Sequence, residues 1–256
     1  MEVVFSILPF PRLLSEKYFS ISPMGALLAN HNSSQTPAAW STQLIQNDPL
    51  EAYIVFDLAH FKERSLKTYQ HEFLWLRVRR RNDAAEQDSP FFLLKVERII
   101  RNHTVLARLG LWGEATDSVT VLNPNTRAPH TLDTSAPHAA VRLRHHTWLP
   151  NQAPSLRRVA AIVENVNILM PTYHLSKASC YSFSRAITET VHSVYGVANQ
   201  PQPQPRALFT RRTRFFGCFP TLTYKTRSVA RKATQIAQAE RQVCRLVSSA
   251  STITLT

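Results

Sequence analysis

An α+β fold, with a small antiparallel sheet packed on helices, is what this 256-residue sequence predicts, and three observations carry it. Between positions 52 and 100, runs rich in aliphatic and aromatic residues are separated by a charged stretch, as strands of a half-buried sheet require. Between 155 and 195, two segments repeat apolar residues at helical spacing. Glycine is scarce, at 5 residues, and neither GxGxxG nor GxxxxGK[ST] occurs, which disfavours the glycine-rich nucleotide-binding folds. A hydrophobic content of 44% is enough for a single buried core in a chain of this length.

In chain order, residues 1–50 mix short apolar pieces with Pro23-Met24-Gly25 and a polar run from Asn30 to Pro37, and read as an irregular N-terminal segment holding one or two short helices. Residues 51–197 read as the α+β core domain. Within it Ala52–Leu58 is an apolar run and a strand, and Glu72–Val78 is a second. Arg79–Pro90 is a charged turn, and Phe91–Ile100 returns as a third strand, so 72–98 forms an antiparallel hairpin with a long loop. Asp117–Leu122 and Ala139–Leu143 are short strands in a proline-punctuated stretch. Ser155 stands as N-cap to a helix ending before Pro171, with Leu156, Val159, Val163 and Val166 on one stripe. A second helix runs from about Ser179, its stripe Cys180, Phe183, Ile187, Val191 and Val194, and Gly196 sits where helices end. Asn199–Pro205 (NQPQPQP) gives a proline/glutamine linker over 198–205, and 206–256 a basic helical tail whose Val229, Ile236, Val243 and Val247 recur at helical spacing.

Charge is unevenly placed. Of the net +13, residues 206–256 hold 10 Lys+Arg against the single acid Glu240, a net of +9. This tail calls for an anionic partner, a membrane surface or nucleic acid, and Arg211-Arg212-Thr213-Arg214-Phe215-Phe216 interleaves cations with aromatics as single-strand binders do. The plainer reading is a docked or exposed helix with a solvated charged face, since no recognised nucleic-acid motif accompanies the charge. Three cysteines, Cys180, Cys218 and Cys244, make neither a disulfide framework nor a CxxC or Cys/His metal spacing. No cofactor or metal is expected, and an intracellular, cytoplasmic setting fits the cysteine usage. The N-terminus lacks the basic start of a secretory signal, and no apolar run approaches the roughly 20 residues needed to cross a bilayer. His145-His146 are adjacent and so point to opposite sides of a strand or helix. Together with His103 and His174 they read as surface residues.

Cys180 is the residue best placed for chemistry. In the first turn of a helix, a cysteine lies beside unsatisfied backbone N–H groups and the positive end of the helix dipole, both of which favour thiolate. The same N–H groups can hold an oxyanion. A base must come from elsewhere in the chain. The order of a histidine on an early strand, His71 in Thr68-Tyr69-Gln70-His71-Glu72-Phe73, followed by Cys180 in Tyr173-His174-Leu175-Ser176-Lys177-Ala178-Ser179-Cys180-Tyr181-Ser182-Phe183, resembles the circularly permuted papain-like fold. That group includes lecithin:retinol acyltransferase-like proteins and PPPDE-type desumoylating peptidases. The chain also looks similar to uncharacterised fungal proteins.

The resemblance spans roughly 52–195 and implies a thiol hydrolase or acyltransferase acting on an ester, amide or isopeptide carbonyl of an acyl or peptide substrate. It implies Cys180 as nucleophile, His71 as base and, from the following strand, Glu97 as the group orienting the imidazole. The sequence departs from the family where Ser179 replaces the usual asparagine before the cysteine, and where Glu72 follows His71 in place of a small or apolar residue. Each residue also has a plainer reading on its own: Cys180 as core packing, His71 as a partly buried histidine satisfied by neighbours, Glu97 as a solvated or ion-paired strand residue beside Arg98. A non-catalytic interaction protein with the same fold is the alternative. Tyr173, Phe183 and Trp75 read as core, and Cys218 and Cys244 as inert.

Overall fold

The computed structural model describes residues 34–46, 51–63, 71–82, 91–100, 112–122, 140–174, 179–196, 214–215, 219–220 and 223–253. The linker, Cys218 and His103, and most of the charged turn before Phe91, lie outside the described residues, as do the side chains of His174 and Cys244.

The chain is α+β. Its strands are β1 (Ser34–Gln35), β2 (Tyr53–Glu63), β3 (Glu72–Arg80), β4 (Phe92–Ile100), β5 (Trp112–Leu122), β6 (Ala140–Thr147), β7 (Thr172–His174), β8 (Arg214–Phe215) and β9 (Phe219–Pro220). Its helices are α1 (Pro37–Gln46), α2 (Leu156–Leu169), α3 (Cys180–Tyr195) and α4 (Thr223–Ile253). Seven strands form one antiparallel sheet in the order β1-β5-β4-β3-β2-β6, with β7 added beside β5. β8 and β9 make a separate two-stranded pair. The expected 72–98 hairpin is present as β3 and β4, with Leu74 opposite Val96 and Phe73 opposite Glu97.

β2 and β5 are longer than their apolar runs suggested. β2 is a central strand paired with both β3 and β6, so ladder bonds carry it through Asp57, His60 and Lys62. Those polar residues are buried. A register shift between Val55 and Asp57 interrupts the ladder with β3, and the three residues before it, Tyr53, Ile54 and Val55, are all buried in the core.

One face of the sheet carries Leu58, Leu74, Leu76, Val78, Leu94, Val96, Val119 and Val121 into a core shared with the four described helices. The α2 residues Leu156, Val159, Val163 and Val166 enter it as their spacing requires, and so do Phe183, Ile187 and Val191 of α3. The α4 stripe differs from expectation. Val229, Ala230, Ala233 and Ala237 are buried, whereas Ile236 and Val243 are exposed. Alanines on this face let α4 approach α3 closely, and Thr190 Oγ1 donates to the Ala230 carbonyl at 3.3 Å. Helix α1 begins as capping rules dictate, with Thr36 Oγ1 accepting from the Ala39 N–H at 3.2 Å and Pro37 at the first helical position. It delivers Trp40 and Leu44 to the same core.

The sheet's other face carries a smaller apolar cluster, Ala59, Phe61 and Phe73, with Trp75 half-buried against it. The two histidines of β6 split as alternation demands. His145 Nε2 donates to Asp57 Oδ2 at 2.6 Å, while His146 is buried and stacks on Trp148. His146 is therefore not a surface residue: the period of the strand turns one of any two neighbours toward the helices. Ser155 occupies the N-cap position of α2, but its side chain makes no cap bond. Gly196 ends α3 at φ +65, the left-handed region that favours glycine, and its carbonyl accepts from Trp148 Nε1 at 2.8 Å.

Candidate active site

Cys180 is the first residue of α3 and only 4% exposed. Two features fix where the helix begins. β7 is tied to β5 through Tyr173 opposite Gly113, which anchors the chain shortly before Cys180. One turn into the helix, Phe183 lies under the Arg98 guanidinium, 4.5 Å from its ring centroid. Arg98 is itself fully buried and forks onto Asp117, with Nε–Oδ1 and Nη2–Oδ2 both 2.6 Å. Asn167 of α2 donates to the same carboxylate at 2.6 Å. One bidentate ion pair thus ties β4, β5, α2 and α3 together beneath the start of α3.

The first backbone bond of α3 runs from Phe183 N–H to the Ser179 carbonyl at 3.0 Å. The N–H groups of Cys180, Tyr181 and Ser182 therefore precede the helical ladder. Ser179 is the N-cap residue but caps nothing with its side chain, and its hydroxyl is buried without a partner. Tyr173, read from sequence as core, is more than that. Its hydroxyl accepts from the Cys180 N–H and also meets the Cys180 thiol. Burial, then the charges of Cys180 and Tyr181 and the bond to the thiol, push its pKa above the ordinary phenol range, so it remains a proton donor.

His71 immediately precedes β3, and its Nε2–H donates to Glu97 Oε2 at 3.0 Å. The same carboxylate oxygen is 2.7 Å from Lys95 Nζ. Lys95 also lies over the Phe73 ring, on which His71 stacks. His71, Phe73, Lys95 and Glu97 thus share one side of the β3–β4 pair. With Nε2 committed to Glu97, Nδ1 is the ring nitrogen left for the thiol, and His71 does hydrogen-bond Cys180. Burial works against a charged imidazole here. The bonds to Cys180 and Glu97, and then the charges of both, outweigh it and raise the His71 pKa to about 9. Burial likewise opposes the charged Glu97. Hydrogen bonds from His71 and Lys95, and the positive charge of both, bring its carboxyl down to about 2.

No protein-family model, curated protein or solved structure matches this chain.

The site's geometry brings Cys180, His71 and Glu97 together in the order thiol, imidazole, carboxylate. A cysteine sulfur against an imidazole that can hold its proton, beside unladdered N–H groups and a protonated phenol, can attack an electrophilic carbon and stabilise the resulting oxyanion. Glu72 points to the other side of the strand, where His60 Nε2 meets its Oε2 at 2.7 Å in a buried pair. The carboxylate next to His71 in sequence thus does not compete for its ring. Tyr181 flanks Cys180 and holds Lys62 over its ring at 5.2 Å, and burial followed by the charges of Cys180 and Glu72 raises its pKa. Lys95 could have been found in the sequence, because it lies two positions before Glu97 and so on the same strand face. Nothing in the sequence distinguishes Tyr173 from an ordinary core tyrosine. Among the described residues, no group of three or more His, Cys, Asp or Glu is arranged to hold a metal ion, and no helix is long and apolar enough to cross a membrane.

Proposed function

We propose that this protein is a cysteine-dependent hydrolase or acyltransferase of the permuted papain-like kind, acting on an ester, amide or isopeptide carbonyl. The observation that carries the reading is the bridging position of His71, bonded to the thiol at the head of α3 on one side and to the Glu97 carboxylate on the other.

Chemistry follows from those contacts. The Cys180 thiol passes its proton to His71, and the thiolate attacks the substrate carbonyl, forming a C–S bond and an oxyanion. The N–H groups of the first turn and the Tyr173 hydroxyl are the donors nearest that oxyanion. As the carbonyl re-forms, the C–O or C–N bond breaks and the imidazolium returns its proton to the leaving group. Water, or a second acceptor, gives its proton to His71 and attacks the thioester, which restores the thiol. Glu97 holds the ring in one tautomer and favours its charged form, and Lys95 holds Glu97.

The test is acyl transfer from a small activated ester such as p-nitrophenyl acetate, followed by mass spectrometry of the intact protein. An acetyl adduct on Cys180, absent in Cys180→Ala and formed slowly in His71→Ala, is expected. Acetylation that is unchanged by either substitution would overturn the reading.

A second role is favoured by the exposed cations Arg227, Arg231 and Lys232 on α4, which suit binding to an anionic surface such as nucleic acid or membrane. Because α4 is part of the core, its test is charge reversal at these three positions rather than deletion of 206–256. Loss of heparin binding is expected, and unchanged binding would refute the role.

A further inference from the structure

At the opposite end of α3 from Cys180, roughly 22 Å away along the helix axis, a polar cleft of about 630 Å³ opens where α2 begins, α3 ends and α4 passes. We propose that this cleft is a binding site for a phosphate group, held by Arg81, Arg158 and Arg241 together with the N-terminus of α2.

Four observations lead there. First, three arginines from three different elements line one cleft: Arg81 just beyond β3, Arg158 in the first turn of α2, and Arg241 on α4. Their described partners are neutral. Arg81 Nη1 donates to the Pro150 carbonyl at 3.2 Å, Arg241 Nη1 donates to the Val194 carbonyl at 2.9 Å, and Arg158 hydrogen-bonds the Tyr195 hydroxyl. Each keeps further N–H donors for a ligand.

Second, the start of α2 is built against its own stability. A helix N-terminus favours acids and a capping side chain, whereas this one has Arg157 and Arg158 in its first turn and no acid. Third, the N-cap residue Ser155 lines the cleft, is only 7% exposed and has a hydroxyl without any hydrogen-bond partner. The serine that ought to satisfy the helix N–H groups does not do so. Fourth, the nearby carboxylates do not neutralise the cluster. Glu51 lines the cleft but is paired with Arg157 at 3.2 Å, outside the three-arginine set, and Glu240 lies near Tyr195.

An uncapped 14-residue helix start and a serine hydroxyl supply neutral donors, and three guanidiniums supply charge and planar forks. That combination suits a compact tetrahedral dianion better than a planar carboxylate, because it donates from several directions at once. A bound phosphate would also relieve the repulsion between Arg157, Arg158 and the helix dipole, and would join α2, α4 and the end of β3.

The test is calorimetric titration of the full-length protein with inorganic phosphate and with pyrophosphate at fixed ionic strength. Saturable, one-to-one millimolar or tighter binding is expected. Arg158→Gln should weaken it at least tenfold and Arg158→Gln/Arg241→Gln should abolish it, while Arg142→Gln, exposed on β6 and outside the cleft, leaves it unchanged. Arg158→Gln also removes a cation from the positive end of α2, so its melting temperature without phosphate should not fall, and the loss of binding is then not a loss of fold. Cys180→Ala should bind phosphate normally, which separates this site from the proposed chemistry. No saturable binding to wild type, or equal binding by wild type and the double variant, would overturn the proposal.

Discussion

Replacing Glu97 by glutamine removes the carboxylate while keeping its shape, and the structure sets the size of the effect. The Glu97 carboxyl lies at about 2 against an ordinary 4.5, held down against burial by His71 and Lys95. At about 1.4 kcal/mol for each unit, that difference corresponds to roughly 3 kcal/mol of native-state stabilisation, shared by two partners. The side chain is 18% exposed, so solvent screening brings the realised figure nearer 2 kcal/mol. The sign follows from the direction of the shift. A depressed carboxyl contributes fully above 4.5 and loses that contribution as the pH falls toward 2. Glu97→Gln should therefore be about 2 kcal/mol less stable than wild type at pH 7, with the gap closing in acid. The same change should lower the His71 pKa from about 9 toward its ordinary value, because one charge-assisted bond to the ring is lost. Titration of the His71 Cε1–H resonance by NMR and urea denaturation at several pH values measure the two effects. A His71 pKa indifferent to Glu97→Gln would refute the argument that this carboxylate sustains the imidazolium.

Other consequences are as direct. Arg98→Met leaves Asp117 charged and buried with only Asn167, and should cost about 3–5 kcal/mol by chemical denaturation; a cost under 1 kcal/mol would show that the pair does not organise the sheet–helix junction. His146 is buried and its pKa is lowered to about 4, by burial first and then by the positive charge of His192 and Arg144 nearby. Its neutral form stabilises the fold above 6.5, and that contribution, roughly 3 kcal/mol, is lost as the pH falls through 6.5 toward 4. His146→Phe should flatten stability against pH across that window, and an unchanged slope would contradict the assignment. Gly196→Ala meets no atom within 4 Å, so only its φ of +65 is penalised, by about 1 kcal/mol in melting experiments; no loss of stability would contradict this.

Strands β3 and β4 were legible through short runs rich in Phe, Leu, Trp, Val and Ile either side of a charged turn, and helices α2 and α3 through apolar stripes at helical spacing. β2 and β5 ran past their apolar runs because ladder pairing, not side-chain pattern, sustains Ala59–Glu63 and Trp112–Thr116. The α4 stripe was misassigned because its buried face is made of alanines, which apolar periodicity weighs less than Ile236 or Val243. At the site, Cys180 stood out through its place at a helix start, and His71 and Glu97 only as positions implied by the resemblance to the permuted papain-like order. The oxygen of Tyr173 did not, because a hydroxyl aimed at a thiol leaves no mark on a sequence. The arginine cleft was equally hidden: Arg81, Arg158 and Arg241 are far apart in the chain and meet only where three elements end or cross.

The central claim is that His71 acts on the Cys180 thiol, and the rate of Cys180 alkylation by iodoacetamide as a function of pH, in wild type and His71→Ala, tests it most directly. The account predicts that His71→Ala reacts more slowly than wild type at neutral pH, by about tenfold or more, and that the two profiles differ in shape. Superimposable profiles for the two proteins would contradict it.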